Sequence, residues 1–217
     1  MPIQKSNIGN YNLISSCVGQ PKHLVLILHG YGANSQNLLF MAHFWKQSIN
    51  NCLFIIPDAP EPMTEVDGFK WFEVGDLTPT YLDKGVEKVA PDIQRFLTKL
   101  QNAYSIPPEE TAICGFSQGA MLALATGLLF KDTCKGIIAY SGGLYLGQHA
   151  PKNMQVSSCL IHGERDLVVP KEASEEAYTY LRKQRFSTEL HIFPHLEHQI
   201  NLAGLQRGEH YLKQLFK

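Results

Sequence analysis

Gly115-Phe116-Ser117-Gln118-Gly119 is the part of this sequence whose residue types and spacing point most directly to chemistry. It follows the aliphatic segment Thr111-Ala112-Ile113-Cys114 and precedes the helix-patterned stretch AMLALATGLLF. A G-x-S-x-G between a strand and a helix puts the serine on a tight turn, where flanking glycines let the two elements approach without a Cβ clash. The turn lifts the hydroxyl out of the sheet, and the start of the next helix turns the Gln118 amide toward any oxyanion formed there. A serine hydroxyl becomes an effective nucleophile only when an imidazole takes its proton, and the imidazole needs a carboxylate to hold its tautomer and stabilise its charge.

On such a sheet the partners follow in the chain order serine, acid, histidine, each at the carboxyl end of a strand. Only two aspartates follow Ser117, Asp132 and Asp166. Asp132 sits in the charged end of the helix that begins at the serine, which suits a solvated surface residue. Asp166 lies just past the aliphatic run Ser158-Cys159-Leu160-Ile161-His162, where an orienting carboxylate belongs, and Glu164 shares its loop as the alternative. The base is expected in Phe193-Pro194-His195-Leu196-Glu197-His198-Gln199-Ile200, which offers two histidines. Spacing barely separates them, although His198 is nearer the start of the last helical pattern. The second amide of an oxyanion hole is expected in His29-Gly30-Tyr31-Gly32-Ala33-Asn34, with the Tyr31 amide, between two glycines, as the choice.

The elements that must position these residues alternate along the whole chain. Short aliphatic runs at 24–28, 52–56, 111–114, 136–141, 158–162 and 189–193 read as strands, most of them apolar on both faces. Helical spacing appears at Leu38–Trp45, Val86–Leu100, Met121–Leu128, Ala173–Leu181 and Leu205–Leu215, with Pro91 marking a kink or a start in the second. Alternation of this kind implies an α/β fold, a mostly parallel central sheet with helices on both faces. The segment 57–80 lacks a clear period but carries Met63, Phe69, Trp71 and Phe72, so it reads as a long functional loop. No repeat, linker or low-complexity tract marks a boundary, and residues 1–217 read as a single domain without a separate cap.

The motifs LHGYGAN, IPDAP, WF, GFSQGA, SGGL, HGERDLVVP and EHQI, in that order from Leu24 to Ile200, resemble the phospholipase/carboxylesterase family of α/β-hydrolases, which includes acyl-protein thioesterases and lysophospholipases. The resemblance implies the α/β-hydrolase fold, with Ser117 as nucleophile, Asp166 and His198 as its partners, and the amides of Tyr31 and Gln118 as the oxyanion hole. It favours His198 over His195, because the family histidine is followed two positions later by an aliphatic residue, here Ile200. It also matches Trp71 and Phe72 to a pair near the family's acyl-binding groove, with Met63 as a further substrate contact. Departures occur at Ala33-Asn34, at Leu144-Tyr145 and at Glu197, where glycine is common. The expected activity is hydrolysis of carboxylic esters or thioesters, with a small ester, a lysophospholipid or an acylated protein as substrate, and without cofactor or metal.

Two rival readings stand beside this one. A metallohydrolase could draw on His162, Asp166, His195 and His198, but His195-Leu196-Glu197-His198 lacks the H-E-x-x-H or H-x-x-E-H spacing that sets two ligands on one helical face. A hydrolase-fold binding module with an inert serine is the other.

Composition narrows the partners. Lys and Arg number 19 against 20 Asp and Glu, a formal net charge of -1, and charged residues are 18% of 217. That balance argues against bulk electrostatic binding to nucleic acid or an acidic membrane, which needs clustered positive charge. No apolar run approaches the about 20 residues of a membrane span, so no integral membrane association is expected. The first residues alternate polar and apolar types rather than forming a secretion signal, and five widely spaced cysteines lack a C-x-x-C, so a cytoplasmic location follows as the default. A monomer and a homodimer are equally compatible with this sequence.

Overall fold

A computed structural model describes residue 8, residues 10–75 and residues 77–217. Its centre is a seven-stranded sheet built from β1 (Tyr11–Ser15), β2 (His23–Leu28), β3 (Cys52–Pro57), β6 (Thr111–Phe116), β7 (Gly136–Tyr140), β8 (Ser157–Gly163) and β9 (Thr188–Phe193). The order across the sheet is β1-β3-β2-β6-β7-β8-β9, and every pairing is parallel except that of β1 with β3. The short β4 (Glu61–Pro62) and β5 (Phe69–Lys70) form a separate antiparallel ribbon.

Strand periodicity explains the two cores. In β2, Leu24, Leu26 and Leu28 belong to one buried cluster, and Val25 and Ile27 to another on the opposite face. The first face is covered by α2 (Pro79–Tyr104), α3 (Gln118–Leu129) and α4 (Glu172–Lys183), the second by α1 (Leu39–Trp45) and α5 (Leu202–Leu215). Helix α3 is buried along its whole length, as its largely apolar sequence requires.

The six expected strands and five expected helices are all present. Three details differ. Strand β1, absent from the sequence reading, is a half-buried antiparallel edge strand whose alternation of exposed and covered residues gives too short a signal to stand out. Helix α2 starts at Pro79, in its first turn, and runs on through Pro91 rather than beginning there. The segment 57–80 is partly ordered by the β4–β5 ribbon and by a bridge between Phe69 and Ala33. This ribbon joins the loop after β2, at the carboxyl edge of the sheet. Among the described residues, no helix is long and apolar enough to cross a membrane.

Candidate active site

Ser117 stands between β6 and α3 with φ 54° and ψ -116°, a conformation that is costly for a residue with a Cβ and that persists only when its surroundings hold it. The two flanking glycines are what allow it. A Cβ on Gly115 would lie 2.1 Å from the Gly119 carbonyl oxygen, and one on Gly119 would lie 2.1 Å from that of Leu28, at the end of β2. Strand, turn and helix therefore close on one another at distances that only glycine permits.

The acid and the histidine come from neighbouring strand ends. Asp166 follows β8, and its Oδ1 accepts hydrogen bonds from the amides of Val168 and Val169, both at 2.9 Å. Its Oδ2 is 2.7 Å from His198 Nδ1, and His198 Nε2 is 3.0 Å from Ser117 Oγ. A carboxylate only accepts, so Nδ1 carries the proton and Nε2 turns a lone pair to the serine. Burial alone would push the Asp166 carboxyl up, but the hydrogen bonds from His198, Val169 and Val168 together hold it below the ordinary carboxylate value. The loop bearing His198 runs from β9 to α5 and is fastened to the acid loop by the Arg165 amide on the Leu196 carbonyl, 2.8 Å. Asn201 then caps α5 through the Gly204 amide.

The alternatives weighed from sequence fall elsewhere. Asp132 is exposed beyond the end of α3. Glu164 is exposed and meets the backbone amide of His195, whose own side chain is exposed as well. Of the four residues of the metal reading, His162 and His198 both meet Asp166, His198 also reaching Ser117, whereas His195 is exposed.

Gly30 brings the loop after β2 against the serine: a Cβ placed on it would be 3.3 Å from Ser117 Cβ. Among the described residues, neither the Tyr31 nor the Gln118 amide has a hydrogen-bond partner, whereas the Gly32 and Ala33 amides are used by Phe69 and Gly30. Two unpartnered donors thus flank the serine.

Trp71 and Phe72, expected as groove contacts, are corrected by burial. They are 1% and 3% exposed and lie in the core cluster, with the Phe72 ring against Gly85 of α2. Their aromatic area is spent covering the sheet, which leaves none of it facing solvent. Met63 is half-buried beside Gly32. The apolar side chains exposed next to the triad are Leu167 and Val168, 95% and 56% exposed, in the turn that Asp166 holds. The sequence hint was an aliphatic pair directly after the acid, where loops favour polar residues. His162, considered from sequence only as a metal ligand, is buried with Nε2 2.8 Å from the Val169 carbonyl and 3.3 Å from Asp166 Oδ2, so it lies behind the acid.

A family model described as phospholipase/carboxylesterase matches residues 10–216. The chain belongs to the phospholipase/carboxylesterase family. Within it, a probable carboxylesterase of Oryza sativa subsp. japonica is 29% identical over 218 residues, covering 94% of this chain and 82% of the relative. Acyl-protein thioesterase 1 of Yarrowia lipolytica is 30% identical over 158 residues, 67% of this chain and 70% of the relative. The crystal structure of esterase PE8 superposes with a TM-score of 0.87 at 32% identity, over 94% of this chain and 97% of that one. As a phospholipase/carboxylesterase family member, the protein is a carboxylic ester hydrolase with the α/β-hydrolase fold.

Proposed function

We propose that this hydrolase cleaves carboxylic esters or thioesters through an acyl-enzyme on Ser117. The observation that supports this best is the continuous relay from Asp166 to His198 to Ser117, at 2.7 and 3.0 Å, beside two unpartnered amides. In the first step the Ser117 proton passes to His198 Nε2 as Oγ bonds to the substrate carbonyl carbon, and the carbonyl oxygen becomes an oxyanion held by the amides of Tyr31 and Gln118. Collapse breaks the bond to the alcohol or thiol leaving group, which takes the proton from His198. Water then gives a proton to His198 and adds to the acyl carbon, and a second collapse releases the acid and returns the proton to Ser117. The buried, amide-bonded Asp166 keeps His198 in the tautomer that each transfer needs.

The acylated substrates of the thioesterase relatives suit a site whose rim carries Leu167 and Val168, with Met63 on the oxyanion side. An acyl chain laid on these residues would bury apolar area at about 25 cal/mol per Å². The four buried free thiols support a location inside the cell, and the single seven-stranded sheet supports the reading of 1–217 as one domain. A fluorophosphonate probe tests the central claim. Wild-type protein should be labelled on Ser117 and Ser117→Ala should not, and an unlabelled but folded wild type would leave the serine inert.

A further inference from the structure

We propose that His29 is a positioning residue that sets the direction of the Tyr31 amide, with the Trp71–Phe72 segment bracing both halves of the oxyanion hole. The proposal rests on the reading of the Tyr31 and Gln118 amides as oxyanion donors.

His29 directly follows β2 and is fully buried. Its Nδ1 is 2.7 Å from the Gly30 carbonyl oxygen, and its Nε2 is 3.0 Å from the Ala59 amide nitrogen. A carbonyl only accepts and a backbone N–H only donates, so these partners fix one neutral tautomer, with the proton on Nδ1. The Gly30 carbonyl is therefore pinned toward the imidazole, and the Ala33 amide adds a second donor to it at 3.3 Å. No cis peptide occurs among the described residues, and in a trans peptide the N–H points opposite to the C=O. Pinning the Gly30 oxygen thus aims the N–H of the same peptide, which is that of Tyr31, away from the imidazole. That amide has no protein partner of its own, and Gly30 lies against Ser117. A turn of this peptide plane would replace a donor with a carbonyl oxygen and repel the developing charge.

The rest of the network joins this loop to the serine turn. The Trp71 indole N–H donates to the His29 carbonyl at 2.9 Å, and the Trp71 amide donates to Gln118 Oε1 at 3.0 Å. Gln118 Nε2 donates to the Phe72 carbonyl at 2.8 Å. Each of these residues is buried, so every bond is protected from competition by water. One rigid segment thereby holds the residue that aims the first amide and the residue that carries the second.

Asparagine at position 29 sets an amide N–H where Nδ1–H stands, whereas glutamine reaches the Nε2 position and leaves the Gly30 carbonyl with only the longer bond from the Ala33 amide. Both variants lose one hydrogen bond of two, so melting temperatures measure the structural cost separately. The readout is the acylation rate with p-nitrophenyl acetate and with its thionoester, whose sulfur makes poor use of an oxyanion hole. His29→Gln should lose about a hundredfold on the ester and little on the thionoester, while His29→Asn stays within about threefold of wild type on both. A large wild-type preference for the ester that persists unchanged in His29→Gln would overturn the positioning role and leave the hole intact. A wild-type preference no larger than that of hydroxide-catalysed hydrolysis would overturn the oxyanion reading itself, and this proposal with it.

Discussion

His198 and His195 lie three positions apart in one loop, yet their surroundings assign them different fates. His198 packs its ring against Phe116, with ring centroids 4.8 Å apart, and faces Ser117 and Asp166, whereas His195 has a left-handed backbone, φ 61°, and an exposed side chain. His198→Ala should reduce ester hydrolysis by about 10⁴-fold or more, while His195→Ala remains within about twofold; steady-state rates on a short p-nitrophenyl ester compare them directly. Asp166→Asn should cost on the order of 10⁴ in kcat, because an amide at this position favours the tautomer with Nε2 protonated and takes the lone pair away from the serine. Equal activity in all three variants would remove the proposed relay. Ser117 stood out as the candidate nucleophile from G-x-S-x-G. The choice between the histidines was weak on spacing, since a loop has no periodicity from which to read direction.

At the scale of elements, the segment 57–80 shows how composition can mislead about role. Its aromatics suggested a surface for acyl chains, but Trp71 and Phe72 enter the core and hydrogen-bond through their backbones to the side chain of Gln118. Trp71→Ala should therefore destabilise the protein by about 3–5 kcal/mol in urea unfolding. It should lower rates on acetate and laurate esters by similar factors, since the damage falls on the oxyanion side. Selective loss of long-chain esters would instead restore Trp71 to the groove. On the proposed reading, chain-length preference should follow Leu167 and Val168, exposed in the turn whose Val168 and Val169 amides share one Asp166 oxygen. No sequence pattern announces that a loop residue faces inward, because burial of a loop depends on what packs above the sheet edge.

For the whole molecule, acid stability follows from two buried histidines. Burial pushes both His29 and His162 below the ordinary histidine value; Gly30 and Asp58 oppose it at His29, and Val169 and Asp166 at His162, where the nearby His198 adds to the lowering. In the folded protein they take up protons only at lower pH than in the unfolded chain, where they do so near pH 6.5. The unfolded state then binds more protons, so stability falls as pH drops below about 6.5, by up to about 1.4 kcal/mol per pH unit for each histidine. Asp166, held low in the fold, adds a further loss only at more acidic pH, as it is protonated. Urea midpoints measured across this range should show the slope, and His29→Asn should reduce it. A pH-independent midpoint between 7 and 5 would contradict the downward shift at both rings.

The alternation of strand and helix, the two-faced sheet, the serine turn and the order of the candidate acid and histidine after it were all legible in the residues alone. Those features are local: strand and helix periods, and glycines flanking a serine, act over a few residues. Only the folded chain shows that Trp71 and Phe72 enter the interior and that His29, Trp71 and Gln118 join across separations of 42 and 47 positions. A hydrogen bond needs its partner within about 3 Å, and only the folded sheet, by bringing strand ends side by side, sets which distant groups come that close.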